Sequence, residues 1–215
     1  MSATSTMMAV ALALSVGACG LTTTTDPAVP TSDGPIADTE SAVPDGTTIE
    51  PDPAGGPAPT EAQILAKSDS TLSGTVTLTP TEGGVVVVVD VTGVAPGKHG
   101  VHFHERADCS ASDGTSAGGH FDPDGHDHAL PSKSPRHLGD LGNIEVRADG
   151  TGRLEVTREG ANLRAGDPRS FVGRGLVVHA DEDDGGQPTG NAGERIGCAE
   201  IHAPAAPTDP EGVTF

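Results

Sequence analysis

Beyond residue 60, short runs of apolar residues alternate with turns rich in glycine, proline and aspartate. These runs are typical of short strands, and no helical period emerges. The segments with this pattern are 62–67, 72–79, 85–92, 99–105, 143–148, 153–157, 175–179 and 195–201. Eight short strands separated by turns predict an all-β protein, either a sandwich or a barrel.

Two long polar segments interrupt this series of strands. The first, 107–141, is rich in glycine, aspartate and histidine, and the second, 180–194, joins the last two strands. Long loops in a compact domain are usually functional or disordered. Because seven of the nine histidines lie between Lys98 and Asp140, we expect the first loop to be functional.

Two of these histidines, His102 and His104, lie two positions apart on the fourth predicted strand. Alternate residues of a strand point to the same face, so the two imidazoles can reach one point. Imidazole is a good ligand for copper and zinc, and a metal site is therefore one interpretation. The pair alone is equally compatible with a solvated patch of histidines.

The first sixty residues contain no lysine or arginine. Residues 7–16 form an apolar run of signal-peptide length, too short for a transmembrane helix. The sequence Val-Gly-Ala-Cys then ends at Cys19 and resembles a bacterial lipoprotein cleavage box. We therefore predict a signal peptide over 1–18, a lipidated Cys19 and a disordered tether over 19–60 that is too poor in apolar residues to fold. No basic residue precedes Cys19, which a misassigned start codon or a plain buried segment would explain.

Charge narrows the range of partners. The formal charge is −19 at pH 7, and eight acidic residues but no basic one precede Lys67. Such a chain is unsuited to nucleic acid or to an anionic membrane surface. We therefore expect membrane contact only through a lipid on Cys19, at the outer face of the cell membrane. The folded domain is expected to span 61–202, followed by a frayed, proline-rich tail over 203–215.

The chain contains three cysteines. An odd number in an exported protein leaves one of them without a partner. If Cys19 is lipidated, Cys109 and Cys198 are free to pair, and the alternative is two buried thiols.

Five blocks, taken in order, resemble the signature motifs of copper/zinc superoxide dismutases. They are GKHGVHFHE at 97–105, TSAGGHFDP at 115–123, RHLGDLGN at 136–143, LVVH at 176–179 and GNAGERIGC at 190–198. The resemblance implies an eight-stranded Greek-key β-barrel with two long functional loops, and copper and zinc as cofactors. It also implies a disulfide between Cys109 and Cys198.

The same resemblance assigns a role to most of the histidines. It implies that copper is held by His102, His104, His120 and His179. It implies that zinc is held by His120, His128, His137 and Asp140, so that His120 bridges the two metals. His126 lies two residues before His128 and is the alternative zinc ligand. His99 corresponds to a packed histidine that binds no metal, and we expect His202 at the surface.

Two further positions follow from the resemblance. Asp183 corresponds to a carboxylate that links a copper-ligand histidine to a zinc-ligand histidine, here His102 and His128. Arg195 corresponds to the arginine beside copper that steers and holds the small anion. The loop 180–194 departs from better-known relatives because it contains no lysine for steering.

The implied reaction is the dismutation of superoxide to dioxygen and hydrogen peroxide at the cell exterior, with copper as the redox centre and zinc in a structural role. Arg195 and His120 are the expected catalytic residues, and His120 would carry a proton. The alternative is a metal-binding lipoprotein of the same fold that stores or delivers copper or zinc without catalysis. Such a protein has no use for Arg195 or for a shared histidine, so an enzyme is favoured. The sequence leaves the oligomeric state open, and a homodimer is one alternative.

Overall fold

The computed structural model describes residues 58–204, which contain eight strands. These are β1 Thr60–Ala66, β2 Ser73–Pro80, β3 Gly84–Thr92, β4 Gly97–His104, β5 Asp140–Val146, β6 Gly152–Glu159, β7 Gly175–His179 and β8 Arg195–Glu200. The prediction of an all-β, eight-stranded protein is therefore confirmed. The predicted signal peptide, lipidated Cys19 and nearly all of the tether lie outside the described residues, as does the tail beyond residue 204.

The eight strands close into one antiparallel barrel with the order β1-β2-β3-β6-β5-β4-β7-β8. The pairing of β3 with β6 and of β4 with β7 skips over intervening strands, as in a Greek key. Strand β8 returns to β1, where Cys198 faces Leu65, and this pairing closes the barrel. Within the described part of the chain, no helix has the length and apolar character needed to span a membrane.

Alternation along the strands places the core inside this barrel. In β3, Val85, Val87, Val89 and Val91 are all buried, whereas the residues between them are half-buried. Phe103 of β4 adds a buried ring, which stacks on Phe171 with 3.9 Å between ring centroids. Aliphatic side chains thus fill most of the core, as the scarcity of aromatic residues requires.

Three long connections emerge from the barrel. The first, residues 105–139, contains a 3₁₀ turn at Thr115–Ala117, the one helical element of the described residues and one that the strand pattern did not predict. The second, 160–174, supplies Phe171 to the core and was not recognised from the sequence as a separate feature. The third is the predicted loop 180–194.

A disulfide joins the first long connection to the barrel. Cys109 and Cys198 are bonded, with 5.8 Å between their Cα atoms, and both are buried. The expected pairing is therefore confirmed. The bond fixes Cys109 of the loop against strand β8. Its partner on that strand, Cys198, lies two positions after Ile196 and three after Arg195.

Candidate metal centre

Three histidines approach each other because of where β4 and β7 lie in the barrel. His102 and His104 belong to β4, and His179 ends the neighbouring strand β7. The pairing register shifts at Val101/His102 between β4 and β5, and at Val178/His179 between β7 and β8. Such bulges redirect side chains, and here each one lies immediately before a histidine of the cluster.

A ring of backbone hydrogen bonds brings the long loop to these strands. Phe121 N–H donates to the Phe103 carbonyl at 2.8 Å, Gly139 N–H donates to the Phe121 carbonyl at 2.8 Å, and Phe103 N–H donates to the Gly139 carbonyl at 2.9 Å. A Cβ atom at Gly139 would lie 2.4 Å from the Phe103 carbonyl oxygen, so only glycine permits this approach. The three residues precede or follow His104, His120 and Asp140, which are thereby held together.

The four-histidine group consists of His102, His104, His120 and His179. One ligand atom from each residue lies within 4.8 Å of the others, and all four side chains are buried. In three of them one ring nitrogen is already engaged: His102 Nε2 with the Asp183 carboxylate at 2.9 Å, His104 Nδ1 with the Gly118 carbonyl at 2.9 Å, and His179 Nδ1 with the Gly193 carbonyl at 3.3 Å.

The second ring nitrogen of these three histidines is buried and has no hydrogen-bond partner within residues 58–204. These atoms are His102 Nδ1, His104 Nε2 and His179 Nε2. A buried nitrogen without a partner costs free energy. Several such imidazole nitrogens directed at one point are the donor set that copper prefers.

The mixed group consists of His120, His128, His137 and Asp140. The Asp140 Oδ1 atom lies 3.1 Å from His120 Nδ1, 3.1 Å from His128 Nδ1 and 3.3 Å from His137 Nδ1, and the last atom is 3.4 Å from His120 Nδ1. Four ligands at about 2.0–2.1 Å from a tetrahedral ion are separated from each other by about 3.3 Å. The spacing and chemistry of this group therefore fit zinc.

His120 belongs to both groups. Its Nδ1 atom lies among the donors of the mixed group, 3.1 Å from Asp140. On the other side, its ring centroid is 4.2 Å from that of His102 and 5.0 Å from that of His104. One imidazole thus faces two donor sets through its two nitrogens.

The environment keeps three members of the four-histidine group, His104, His120 and His179, neutral. Burial lowers the pKa of His179 to about 3 and that of His120 to about 4. Burial is also the main reason that the pKa of His104 lies well below its usual range. Neutral imidazole is the form that binds metal, so these side chains are poised as ligands at neutral pH.

His128 differs because two carboxylates face its ring. Burial would lower its pKa, but hydrogen bonds to Asp140 and Asp183 outweigh this and raise the pKa to about 9. Burial raises the pKa of both carboxyl groups, but contacts with His120 and His128 hold that of Asp140 below its usual range, and contacts with His102 and His128 do the same for Asp183. Without a metal, the two carboxylates thus favour the protonated, positively charged form of the His128 ring. A bound metal ion would replace that proton.

Asp183 lies between the two groups. Its Oδ2 atom is 2.9 Å from His102 Nε2 and its Oδ1 atom is 2.9 Å from His128 Nε2. A Cβ atom at Gly190, which has a φ of +83°, would lie 2.2 Å from the Asp183 Oδ1 atom. Glycine at position 190 therefore leaves room for the carboxylate. Contacts of this kind fix the tautomer and orientation of ligand histidines.

Arg195 starts β8 directly opposite His179. Its Nη1 atom donates to the Gly114 carbonyl at 2.8 Å and its Nη2 atom to the Gly118 carbonyl at 2.7 Å. The Gly118 carbonyl also accepts from His104 Nδ1. A single loop carbonyl thus orients both a histidine of the four-histidine group and the arginine beside it.

Other expected residues lie elsewhere. His126 is outside both groups, and its Nδ1 atom is 3.2 Å from the Arg136 carbonyl oxygen. His99 is buried with its two ring nitrogens against backbone carbonyls, including that of His179 at 3.0 Å. His202 is largely exposed beside Glu200.

Sequence reasoning did not identify Arg158 as part of the site. From β6, its Nη2 atom donates to the His137 carbonyl at 2.7 Å and its Nε atom to the Leu138 carbonyl at 2.8 Å. It thereby holds the loop segment that carries His137. An arginine in an alternating strand reads as an ordinary surface charge, and no local signal distinguishes it.

Comparison with known proteins agrees with this geometry. Residues 72–201 match the family described as copper/zinc superoxide dismutase. The chain belongs to this family. It is therefore a superoxide dismutase with copper and zinc as its cofactors, and the two groups provide donors suited to both metals.

Individual relatives match about two thirds of the chain. The chain is 36% identical over 152 residues to an extracellular copper/zinc superoxide dismutase of Brugia pahangi, an alignment that covers 66% of this chain and 75% of the relative. Among solved structures, it resembles the clock protein EA4, with a TM-score of 0.62 and 33% identity over 69% of this chain and 96% of that one. It also resembles a double mutant of a superoxide dismutase-like protein from Bacillus subtilis, with a TM-score of 0.60 and 27% identity over 66% and 97% of the two chains.

Proposed function

We propose that the four-histidine group binds copper, that the mixed group binds zinc, and that the chain dismutates superoxide at the copper site. The observation that carries this proposal is the position of His120, which contributes to both groups of converging donors. A protein that only stored one metal would need neither a second adjacent site nor a shared imidazole.

Copper held by the four histidines would supply the exchange of one electron with each of two superoxide ions, giving dioxygen from one and, with two protons, hydrogen peroxide from the other. The protein would supply geometry, access and protons. Nε2 of His120 is the atom that we propose holds and hands over one proton, because its Nδ1 atom remains fixed among the donors of the mixed group. Asp183 would keep His102 and His128 in the tautomers that direct Nδ1 at the metals.

Arg195 would bind the substrate anion. Its guanidinium is positioned by two backbone carbonyls and carries a positive charge next to His104 and His179, where it contributes to lowering the pKa of both. An anion between the arginine and the four-histidine group would be attracted by this charge. The loop 180–194 contains several acids and no lysine, so Arg195 is the proposed main attraction for superoxide near the copper site.

The cellular location that we propose is outside the cytoplasm, with the protein tethered by lipid at Cys19 to the outer face of a cell membrane. The disulfide supports an oxidising compartment, and one relative is named as an extracellular enzyme. Residues 1–18 would be removed as a signal peptide, and 61–202 would form the enzymatic domain. Replacing Cys19 with serine should release the protein from membranes or leave its precursor uncleaved; normal maturation and unchanged membrane retention would contradict lipidation.

Metal analysis combined with an activity assay tests the catalytic proposal. The protein without its first 57 residues, which keeps all of β1, should contain one copper and one zinc per chain when loaded with both metals and should consume superoxide. Full metal content with no activity above that of the metal-free protein would instead support the alternative, a protein that stores or delivers metal.

A further inference from the structure

A polar cleft of about 470 Å³ lies outside the two metal groups, between loop 105–139, strand β6 and loop 160–174. Its charged lining residues are Asp124, Arg136, Arg158, Glu159 and Arg169, and His126 lies beside them. None of the residues of the four-histidine group or the mixed group lines it. Three guanidinium groups around one cleft form a locally cationic site in a chain whose formal charge is −19.

Two of the arginines are held by backbone carbonyls rather than by acids. Arg158 uses Nε and Nη2 to bind the carbonyls of Leu138 and His137. Arg136 donates Nη1 to the Lys133 carbonyl at 3.0 Å. Within residues 58–204, Nη1 of Arg158 and Nη2 of Arg136 make no hydrogen bond, and Nε of Arg136 is buried without a partner.

Arg169 is the one arginine of the three that has an acidic partner. Its Nη1 atom contacts both Asp124 carboxylate oxygens at 2.5 Å and its Nε atom donates to the Gly160 carbonyl at 2.9 Å, whereas Nη2 makes no hydrogen bond to a described residue. Glu159 is exposed and forms no ion pair within the described part of the chain. The carboxylates at the cleft therefore neutralise its arginines only in part.

The arginines also repel each other. The positive charges of Arg136 and Arg169 both act on the guanidinium of Arg158, which is half-buried. A small anion in the cleft would relieve the repulsion and would satisfy the guanidinium nitrogens that lack partners.

We propose that this arginine cleft binds a phosphate-type oxyanion, either inorganic phosphate or a phosphate monoester. Guanidinium groups present paired N–H donors whose geometry matches the oxygens of phosphate. The volume of about 470 Å³ leaves room for a group attached to the phosphate. Asp124 and Glu159 at the same cleft favour a small ligand over an extended polyanion, which they would repel.

Calorimetric titration of the metal-loaded chain with inorganic phosphate, at an ionic strength held constant with chloride, tests this proposal. We expect saturable binding, weakened at least about tenfold in Arg136→Gln, because charged hydrogen bonds are lost. Arg136 holds one loop carbonyl and no metal-group residue, so this variant is expected to fold. Arg169→Gln provides a second, independent variant with the same expected loss.

Arg153→Gln is the matched control. Arg153 is half-exposed on the outside of the barrel and pairs with Asp90 at 2.6 Å, so the substitution removes the same charge at a distance from the cleft. We expect it to change the affinity by less than about twofold, because salt screens distant charges. Absence of saturable binding in the parent chain, or equal weakening by Arg153→Gln, would overturn the proposal.

Arg195 could bind phosphate as well, and Arg195→Gln separates the two sites. This variant should retain the phosphate binding that Arg136→Gln removes; its loss in Arg195→Gln would overturn the assignment to the cleft. Glycerol 3-phosphate distinguishes the two forms of ligand. Tighter binding than that of inorganic phosphate supports a monoester, and weaker binding supports the free ion.

Discussion

The two metal groups share His120 but are built on different parts of the fold. In the four-histidine group, His102 and His104 lie on β4 and His179 ends β7, so three of its four donors belong to paired strands. In the mixed group, His128 and His137 lie on the long loop 105–139, and Asp140 is the first residue of β5. One group is therefore part of the barrel, whereas the other is carried mainly by a loop that must be held against it.

The supports of the loop show what this difference requires. Gln187 donates to the His128 carbonyl at 2.6 Å, Arg158 donates to the His137 carbonyl, and Asp183 contacts the His128 ring. These partners come from loop 180–194 and strand β6, which are distant in sequence. We infer that the mixed group depends on tertiary hydrogen bonds and on its metal to a greater extent than the four-histidine group does.

Replacing the shared residue should have the largest effect. His120→Ala removes a donor from both groups and the proposed carrier of a proton, so we expect loss of activity well beyond the roughly 10- to 100-fold that removal of an outer hydrogen-bond partner costs. Copper and zinc content should both fall, as measured by mass spectrometry of the purified protein. Retention of both metals at full occupancy would contradict the shared role.

A loop-borne donor should affect zinc and stability more than copper. His137→Ala is expected to lower zinc content strongly and to lower the midpoint of thermal unfolding, because metal binding stabilises the loop that carries the ligands. His126→Ala is the matched control from the same loop and should leave zinc content unchanged. The reverse result would show that His126, not His137, belongs to the zinc site.

Substitution of Arg195 tests the four-histidine group, which is built on strands, without changing any of its histidines. A unit charge about 6 Å from an anion contributes roughly 1–3 kcal/mol, which corresponds to about five- to a hundredfold in rate. We expect Arg195→Ala to lower the rate of superoxide consumption within this range while metal content stays normal. An unchanged rate in the fully metal-loaded variant would exclude Arg195 from the mechanism.

The smallest expected effect concerns the support of the loop. Arg158→Gln removes two hydrogen bonds from a charged group to the carbonyls of Leu138 and His137, each with a net contribution of about 1.5–3 kcal/mol. Zinc should be lost faster to a chelator, whereas the rate of copper loss should change little. Arg153→Gln provides a charge-matched comparison, and equal rates of zinc loss in the two variants would show that Arg158 does not support the loop.

The strand-borne parts of the site could be predicted from the sequence, whereas the contacts that support the loop could not. Short apolar runs bounded by turn residues and the His102/His104 pair are local patterns, so the strands were predicted to within three residues of their observed ends. The contacts of Arg158, the second role of the Gly118 carbonyl and the core position of Phe171 depend on segments that meet only after folding. No local sequence pattern predicts such tertiary contacts. The resemblance to known motifs identifies the expected ligands but does not show which residues position them.

The disulfide has a consequence for when the enzyme becomes active. It ties Cys109 to β8, and the same loop provides the Gly114 and Gly118 carbonyls that position Arg195. Before oxidation, that loop lacks its covalent attachment to β8. The Arg195 guanidinium would then lack fixed hydrogen-bond acceptors, even with β8 folded. Export to an oxidising compartment would thus serve as a maturation step, so that newly made chains remain slow catalysts until they reach the place where they are needed.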